Sequence, residues 1–204
     1  MIATLRIVVG CLLVVASGIA QPVSPKLVHA PSPMEMFANE AGSHITWASE
    51  VGRMEHGSVG VVITAVIIEN THEPARKIRG VKINLVGGAS NNGKATDEIY
   101  LDEAATARTI TGLKDIAYGI ARYGGPHSEN GCEGSLLFVV KFEGQEHPWS
   151  RYHELDAAYC GMPDGPGLVL TGRNKPAIFS IPGETPDRLS SMLEVALSRV
   201  RAAL

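Results

Sequence analysis

The run from Val59 to Glu69 constrains the fold of this chain more than any other segment. Its β-branched residues occupy both alternate sets of positions, so neither side of an extended strand made from it would be predominantly polar. Such a strand is stable only where both faces of the sheet are covered, which is typical of a central strand. The sequence therefore predicts a sheet whose middle is buried on each side.

The segments that follow predict a strand, a hairpin and a helix. Val81–Val86 alternates apolar and polar residues, which indicates a strand with one buried and one wet face. Asn91-Asn92-Gly93 is a strong hairpin-turn signal, and Ile99–Leu101 resumes extended structure after it. Asp102 can accept the free amide hydrogens of a first helical turn, so we expect a helix from there to about Tyr123. Its apolar stripe contains Ile110, Leu113, Ala117, Ile120 and Ala121.

The C-terminal half repeats this order of elements. Leu136–Phe142 predicts a buried strand, and Tyr152–Tyr159 predicts a weaker extended segment. Leu168–Leu170 and Ala177–Ile181 predict a hairpin. Thr185 is followed by proline, the preferred arrangement for the cap and first residue of a helix. The stripe of this last helix comprises Leu189, Met192, Leu193, Ala196, Val200 and Ala203.

Together these elements predict an α+β fold in which an antiparallel sheet carries two amphipathic helices on one face. An offset of 80 residues aligns Ile99 with Phe179 and Leu113 with Leu193, so residues 44–123 and 134–204 could be two similar strands-then-helix halves. The same pattern also arises without duplication, and the sequence leaves both origins open. Residues 34–204 are expected to form a single domain that opens with a short helix and an edge strand.

The first 20 residues have the order of a secretory signal peptide. Arg6 precedes an apolar run from Ile7 to Ala16, and Gly18-Ile19-Ala20 supplies the small residues that signal peptidase reads. The run is too short for a membrane anchor, which needs about 20 apolar residues. We therefore expect cleavage before Gln21, an extended proline-rich leader over residues 21–33, and an exported product without a membrane span, located in the periplasm or the extracellular space.

Export determines the interpretation of the cysteines. Signal removal takes Cys11 away and leaves Cys132 and Cys160, an even pair in a compartment that oxidises thiols. Both lie in turn-like contexts next to glycine. The sequence therefore predicts a disulfide between Cys132 and Cys160, because a reactive cysteine would need a C-x-x-C motif or a cationic neighbour that neither site offers.

Composition and motifs argue against several function classes. With 18 basic and 21 acidic residues, the chain has no excess positive charge for a nucleic acid, so no nucleic-acid partner is expected. The usual hydrolase, nucleotide-binding and zinc-protease motifs do not occur. His56, His72 and Glu73 are too scattered to indicate a metal site, and we expect neither a metal nor a cofactor.

The densest polar constellation lies between His147 and Asp156. If this segment is a strand, His147, Trp149, Arg151 and His153 share a face, and Tyr152 falls between Arg151 and His153 in the sequence. Trp, Tyr and Arg are the residue types favoured at binding hot spots. His127 lies in a glycine-flanked loop, where functional residues are common. The candidate binding residues are Trp149, Arg151, Tyr152, His153 and His127, while no residue is assigned a catalytic role.

Three functions remain open. The first is an exported, soluble, non-catalytic protein that binds another protein or macromolecule of the envelope or extracellular space, as an inhibitor, immunity or accessory protein does. The second is an exported hydrolase that uses His127 and His153 with nearby carboxylates. The third is a small-ligand-binding protein, which would have a closed apolar pocket between sheet and helices. The lack of catalytic motifs favours the first.

Overall fold

The computed structural model describes residues 32–90, 92–125, 155–172 and 177–203. The strands within them are β1 (Ser43–His56), β2 (Val59–Asn70), β3 (Lys77–Ser90), β4 (Gly93–Asp102), β5 (Asp156–Cys160), β6 (Gly167–Thr171) and β7 (Ala177–Pro182). The helices within them are α1 (Pro33–Ala38), α2 (Glu103–Tyr123) and α3 (Pro186–Ala202). The strands form one antiparallel sheet, so the predicted α+β class is confirmed.

Strands β1 to β4 form a meander in which each strand pairs with the next. The predicted central strand is β2, which lies between β1 and β3. Its odd-numbered residues Val61, Ile63 and Ala65 are buried on one face, and Val66 and Ile68 are buried on the other. The covering of both faces is therefore confirmed for part of this strand. We call the odd-numbered side of β2 the inner face and the opposite side the outer face.

The last three strands join the meander through β3. Ala89 of β3 pairs with Lys94 of β4 on one side and with Ile178 of β7 on the other. Strand β4 is paired with one edge of β3, so β7 must pair with the other edge, the same one that pairs with β2. The β2 pairing ends at Gly60–Val86, and β7 pairs with the residues of β3 beyond that point. The sheet order is β1-β2-β3-β7-β6-β5, and β4 lies on the opposite side of β3.

Two glycines permit this exchange of partners. Gly87 has a φ of +76°, and a Cβ there would lie 1.9 Å from the carbonyl oxygen of Ser58 in the β1–β2 turn. A Cβ at Gly88 would lie 2.5 Å from the ring of Phe179 in β7. The register of β3 against β4 shifts between Val86 and Gly88, as expected for a β-bulge. The absence of side chains at these two positions lets the turn and β7 approach β3.

Helices α2 and α3 cover the inner face, as predicted. Asp102 Oδ1 accepts the amide of Ala105 at 2.8 Å, and Thr185 Oγ1 accepts the amide of Arg188 at 3.3 Å, so both predicted caps are confirmed. The helices are linked by ion pairs of Lys114 with Glu194 and of Arg201 with Glu103. The core beneath them includes Ile83, Leu85, Ile99, Leu101, Leu113, Ile116, Leu168, Phe179, Ile181, Leu189, Leu193, Ala196 and Val200. Ala121, which was predicted to face this core, is exposed, whereas Ile116 is buried there.

Helix α1 covers one end of the outer face. Met34 and Phe37 are fully buried and form a second, smaller cluster with Val66 and Ile68. Ser32 caps the helix, with Glu35 completing a capping box. Pro33, predicted as the end of the leader, is thus the first helical residue. The short helix expected after residue 34 is confirmed with this earlier start.

Candidate functional site

The binding residues predicted from the sequence lie outside the described residues. This holds for His127, Trp149, Arg151, Tyr152 and His153. It also holds for the predicted strand Leu136–Phe142, the signal peptide and the leader up to residue 31. These assignments therefore stay predictions.

Of the two cysteines in the predicted disulfide, Cys160 lies within the described residues. Cys160 is the last residue of β5, lies opposite Gly167 of β6 and is buried. Cys132 lies outside the described residues, so the pairing stays a prediction.

The described residues present a different candidate on the outer face of the sheet. Helix α1 covers only the end of this face that carries Ile68 and Ile78. Beyond it, the even-numbered positions of β2, β3 and β4 come into register as cross-strand neighbours. The neighbouring sets are Thr64, Lys82 and Tyr100; Val62, Asn84 and Glu98; and Val86 and Thr96. This part of the outer face mixes polar side chains with Val62 and Val86, and its Tyr100 packs against the cluster formed with α1.

A concavity of about 630 Å³ lies on this face beside α1, and we call it the outer concavity. Its lining residues are Glu35 and Asn39 of α1 together with Val62, Asn84, Leu85, Val86, Thr96, Asp97, Glu98 and Tyr100 of the sheet. Its volume falls in the range of about 300–1,000 Å³ that is usual for ligand sites. Its position on the outer face separates it from the apolar core under α2 and α3.

Glu98 of the outer concavity is bonded to two neighbours on the outer face, Lys82 and Tyr100. Lys82 Nζ lies 2.7 Å from Glu98 Oε1, and the hydroxyl of Tyr100 donates to Glu98 Oε2 at 3.1 Å. Lys82 Nζ also lies 5.5 Å from the centre of the Tyr100 ring, within reach of a cation–π interaction. Glu98 is therefore bonded through both oxygens before any ligand arrives.

The surroundings of Lys82 and Tyr100 raise the pKa of both side chains further above neutral pH. Burial alone would lower the pKa of Lys82, but the hydrogen bond and charge of Glu98 outweigh it, so the pKa of Lys82 is raised. The pKa of Tyr100 is also raised, mainly by burial, although the charge of Lys82 opposes this. A general acid or base works best with a pKa near the ambient pH. This pair is therefore suited to hydrogen bonding and poorly suited to proton transfer.

Asn84 supplies an acceptor that other described residues do not use. Its Oδ1 is buried and has no hydrogen-bond partner within the described residues. Leaving such an acceptor without a partner costs about 1–3 kcal/mol. Asn84 lines the outer concavity as a residue, while its Oδ1 is turned away from solvent.

One more buried oxygen in the described part of the chain has no partner, Glu184 Oε2. The other oxygen of this carboxylate pairs with Arg188 in the next turn, at the beginning of α3. Arg188 in turn donates to the carbonyl of Arg53 at 3.4 Å. This arrangement links α3 to β1, and Glu184 does not line the outer concavity.

The strand register explains why these residues escape sequence analysis. The alternation of Val81–Val86 already predicts that Lys82 and Asn84 face away from the core. Their partners Glu98 and Tyr100 are brought opposite only by the shift between Val86 and Gly88. The wet-face alternation was therefore the one available signal.

Two observations bear on the class of protein. Over the described ranges, no set of three or more His, Cys, Asp or Glu side chains is placed to hold a metal ion. None of the helices among the same residues combines the length and apolar character required to cross a bilayer.

The chain was also compared with known proteins. Comparisons with protein-family models, with curated proteins and with solved structures found no match.

Proposed function

We propose that this chain is an exported, non-catalytic binding protein that recognises a macromolecule of the envelope or extracellular space through its outer face. The observation that carries the proposal is the outer concavity, which has a volume of about 630 Å³ and polar lining residues that include Asn84, Thr96 and Glu98. A concavity of this volume that presents a few polar groups is the usual form of a ligand site.

The bonding around the concavity supports binding over hydrolysis. Lys82 and Glu98 hold each other, and the raised pKa of Lys82 keeps it protonated and unable to act as a base near neutrality. The small-ligand alternative expects an apolar pocket between sheet and helices. The described residues of that region are closely packed core side chains such as Leu85, Leu113 and Leu193.

Export and the disulfide are part of the same proposal. The N-terminal pattern supports cleavage before Gln21, and oxidation in the destination compartment supports a bond between Cys132 and Cys160. Mass spectrometry of protein secreted by the native host should find Gln21 as the first residue. Alkylation of the denatured, unreduced protein should label neither cysteine. Retention of Met1–Ala20 would contradict export by cleavage, and labelling of both thiols would contradict the disulfide.

The binding proposal can be tested with a pair of matched variants. Thr96 is exposed at the outer concavity, and Thr111 is exposed on α2, beyond the opposite face of the sheet. Thr96→Arg places a long charged side chain at the proposed site, whereas Thr111→Arg places the same side chain elsewhere. Mature wild-type protein and both variants serve as bait in envelope extract of the host. We expect wild type and Thr111→Arg to capture the same macromolecule and Thr96→Arg to lose it; equal capture by all three would contradict the proposal.

A further inference from the structure

We propose that the free edge of β1 is a pairing surface for β1 of a second copy of this chain, and that two arginines of α3 keep this edge closed in the single chain. Strand β1 lies at one end of the sheet, and within the described residues it pairs only with β2. It has 14 residues and contains no proline, so its main chain can bond to another strand. This surface is separate from the outer concavity, and the inference goes beyond the proposed function.

The hydrogen-bond pattern shows which residues of β1 point to the free edge. Beside the first pair of the β1–β2 ladder, the amide of Thr71 donates to the carbonyl of Gly42 at 3.0 Å. Main-chain groups along an antiparallel strand alternate between its two edges, so the odd-numbered residues of β2 point toward β1 and the even-numbered ones point away. Glu50 and Arg53 lie opposite even-numbered residues of β2. Their own main-chain groups therefore point to the free edge.

The free edge of β1 is complementary to itself in charge. A two-fold axis between Val51 and Gly52 would set Glu50 of one copy opposite Arg53 of the other, and the same pair recurs on the other side of the axis. Opposite charges directly across a ladder attract each other. Within one chain Arg53 bonds to Glu50 at 2.8 Å, and their side chains are 56% and 49% exposed, respectively. Because both side chains are accessible, a second copy can exchange this contact for the same contact between chains.

Two arginines of α3 occupy the carbonyls that this pairing needs. Arg199 donates to the carbonyl of Glu50 at 2.8 Å. Arg188 donates to the carbonyl of Arg53 at 3.4 Å. In the paired strands these two carbonyls would instead accept main-chain amides of the second copy. The middle of the edge is therefore capped in the single chain, and covering an edge is one way in which proteins prevent association between sheets.

The first test compares Arg199→Ala with Arg201→Ala in the mature protein. Both substitutions remove an exposed arginine from the last turn of α3, but Arg201 bonds to Glu103 of α2. Arg188 is left in place because it also pairs with the buried Glu184. Sedimentation velocity at a series of protein concentrations measures association. We expect wild type and Arg201→Ala to stay monomeric, and Arg199→Ala to form a dimer whose fraction rises with concentration.

The second test reverses the charges of β1 in the Arg199→Ala background. Glu50→Arg alone or Arg53→Glu alone sets like charges opposite each other, so each should weaken the dimer at least about tenfold. Glu50→Arg and Arg53→Glu together restore opposite charges across the axis and should restore the dimer. Circular dichroism melts show whether each variant is folded. Should Arg199→Ala prove unfolded, Arg199→Gln replaces it, because it removes the charge and keeps most of the side chain.

Each outcome supports or overturns one part of the inference. A monomeric, folded Arg199→Ala protein would overturn the pairing surface. A dimeric wild type, or a dimer of Arg201→Ala, would overturn the closure of the edge by Arg199. A dimer of Arg199→Ala that ignores both charge reversals would show that the copies associate through another surface.

Discussion

At the scale of single residues, Gly87 is the position among the described glycines that tolerates a side chain least. It combines a left-handed φ of +76° with a main-chain oxygen of Ser58 only 1.9 Å from where a Cβ would lie. Gly57 has a similar φ of +58°, but a Cβ there would meet nothing within 4 Å. The two glycines therefore separate the cost of backbone strain from the cost of a steric clash.

We expect Gly57→Ala to lower the free energy of unfolding by about 1–2 kcal/mol, the usual penalty for a left-handed residue with a side chain. Gly87→Ala should lower the free energy of unfolding by at least about 3 kcal/mol. In addition to the backbone strain, β3 must move away from Ser58 in the β1–β2 turn to make room for the new methyl group. Urea denaturation of both variants provides the measurement. Equal losses would show that the β1–β2 turn does not constrain Gly87.

The pair of Lys82 and Glu98 predicts a dependence of stability on alkaline pH. Since folding raises the pKa of Lys82 above its ordinary value of 10.5, its contribution is fully present below that pH and is lost as the pH rises through the folded-state pKa. The raised pKa of Tyr100 acts in the same direction. Urea denaturation between about pH 10 and pH 12 should therefore show a steeper loss of stability in wild type than in Lys82→Met. The control is Lys94→Met, an exposed lysine of the same sheet; if its alkaline slope falls as much as that of Lys82→Met, the ion pair is not responsible.

At the scale of elements, helix α3 joins the core to the first edge of the sheet. Leu193 is fully buried against the inner face, while Val195, two residues on, is 44% exposed. Arg199, on the polar side of the helix, donates to Ser49 Oγ at 2.9 Å and to the carbonyl of Glu50 at 2.8 Å. From the sequence, Arg199 is predicted only to be a cation in the last turn of the helix. In the structure, its hydrogen bonds also connect α3 to β1.

Leu193→Asp and Val195→Asp introduce the same side chain at a buried and at an exposed position of α3, so they test whether the buried face of this helix stabilises the fold. The first removes a large apolar side chain from the core and buries a carboxylate, so we expect a loss of more than about 4 kcal/mol, close to the whole stability of a small domain. The second should change the free energy of unfolding by no more than about 0.5 kcal/mol. Thermal melts by circular dichroism measure both. A wild-type melt for Leu193→Asp would mean that α3 does not hold the sheet.

At the scale of the whole molecule, the meander and the β5–β7 strands share one core. Side chains from both sets of strands belong to the same buried cluster as the two helices, as Ile83 and Phe179 illustrate. The strands are also hydrogen-bonded through Ala89 and Ser90 of β3 to β7. Neither set of strands can expose its inner face without uncovering apolar surface of the other, so they should unfold together.

This shared core predicts a single cooperative transition. Urea unfolding followed by far-UV circular dichroism and by tryptophan fluorescence should give coincident curves. Phe179→Ala should shift both curves together by about 3–5 kcal/mol, because Phe179 packs on the backbone of β3 at Gly88. Separate transitions for the two probes would show that the sets of strands are independent units.

The prediction of elements from sequence succeeded where the signal is local. The caps at Asp102 and Thr185, the alternation along Val81–Val86 and the hairpin signal ending at Gly93 each depend on neighbours a few residues apart, and the described structure contains the elements that they indicate. The order of strands did not follow from such signals. For example, the residues around Ala177 contain no local signal that predicts its pairing with Ser90.

The sequence by itself determined which segments become strands and helices and which side of each is apolar, since propensity, capping and periodicity act over one or two turns of chain. The tertiary structure decided which polar residues become neighbours on the outer face. A two-residue turn paired without interruption would set Lys82 against Leu101, whereas the bulge at Gly87 sets it against Tyr100 and beside Glu98. Ser58 and Phe179, which come from distant parts of the chain, lie close against the backbone of that bulge. Register depends on such long-range contacts, and for this reason the candidate site emerged only from the fold.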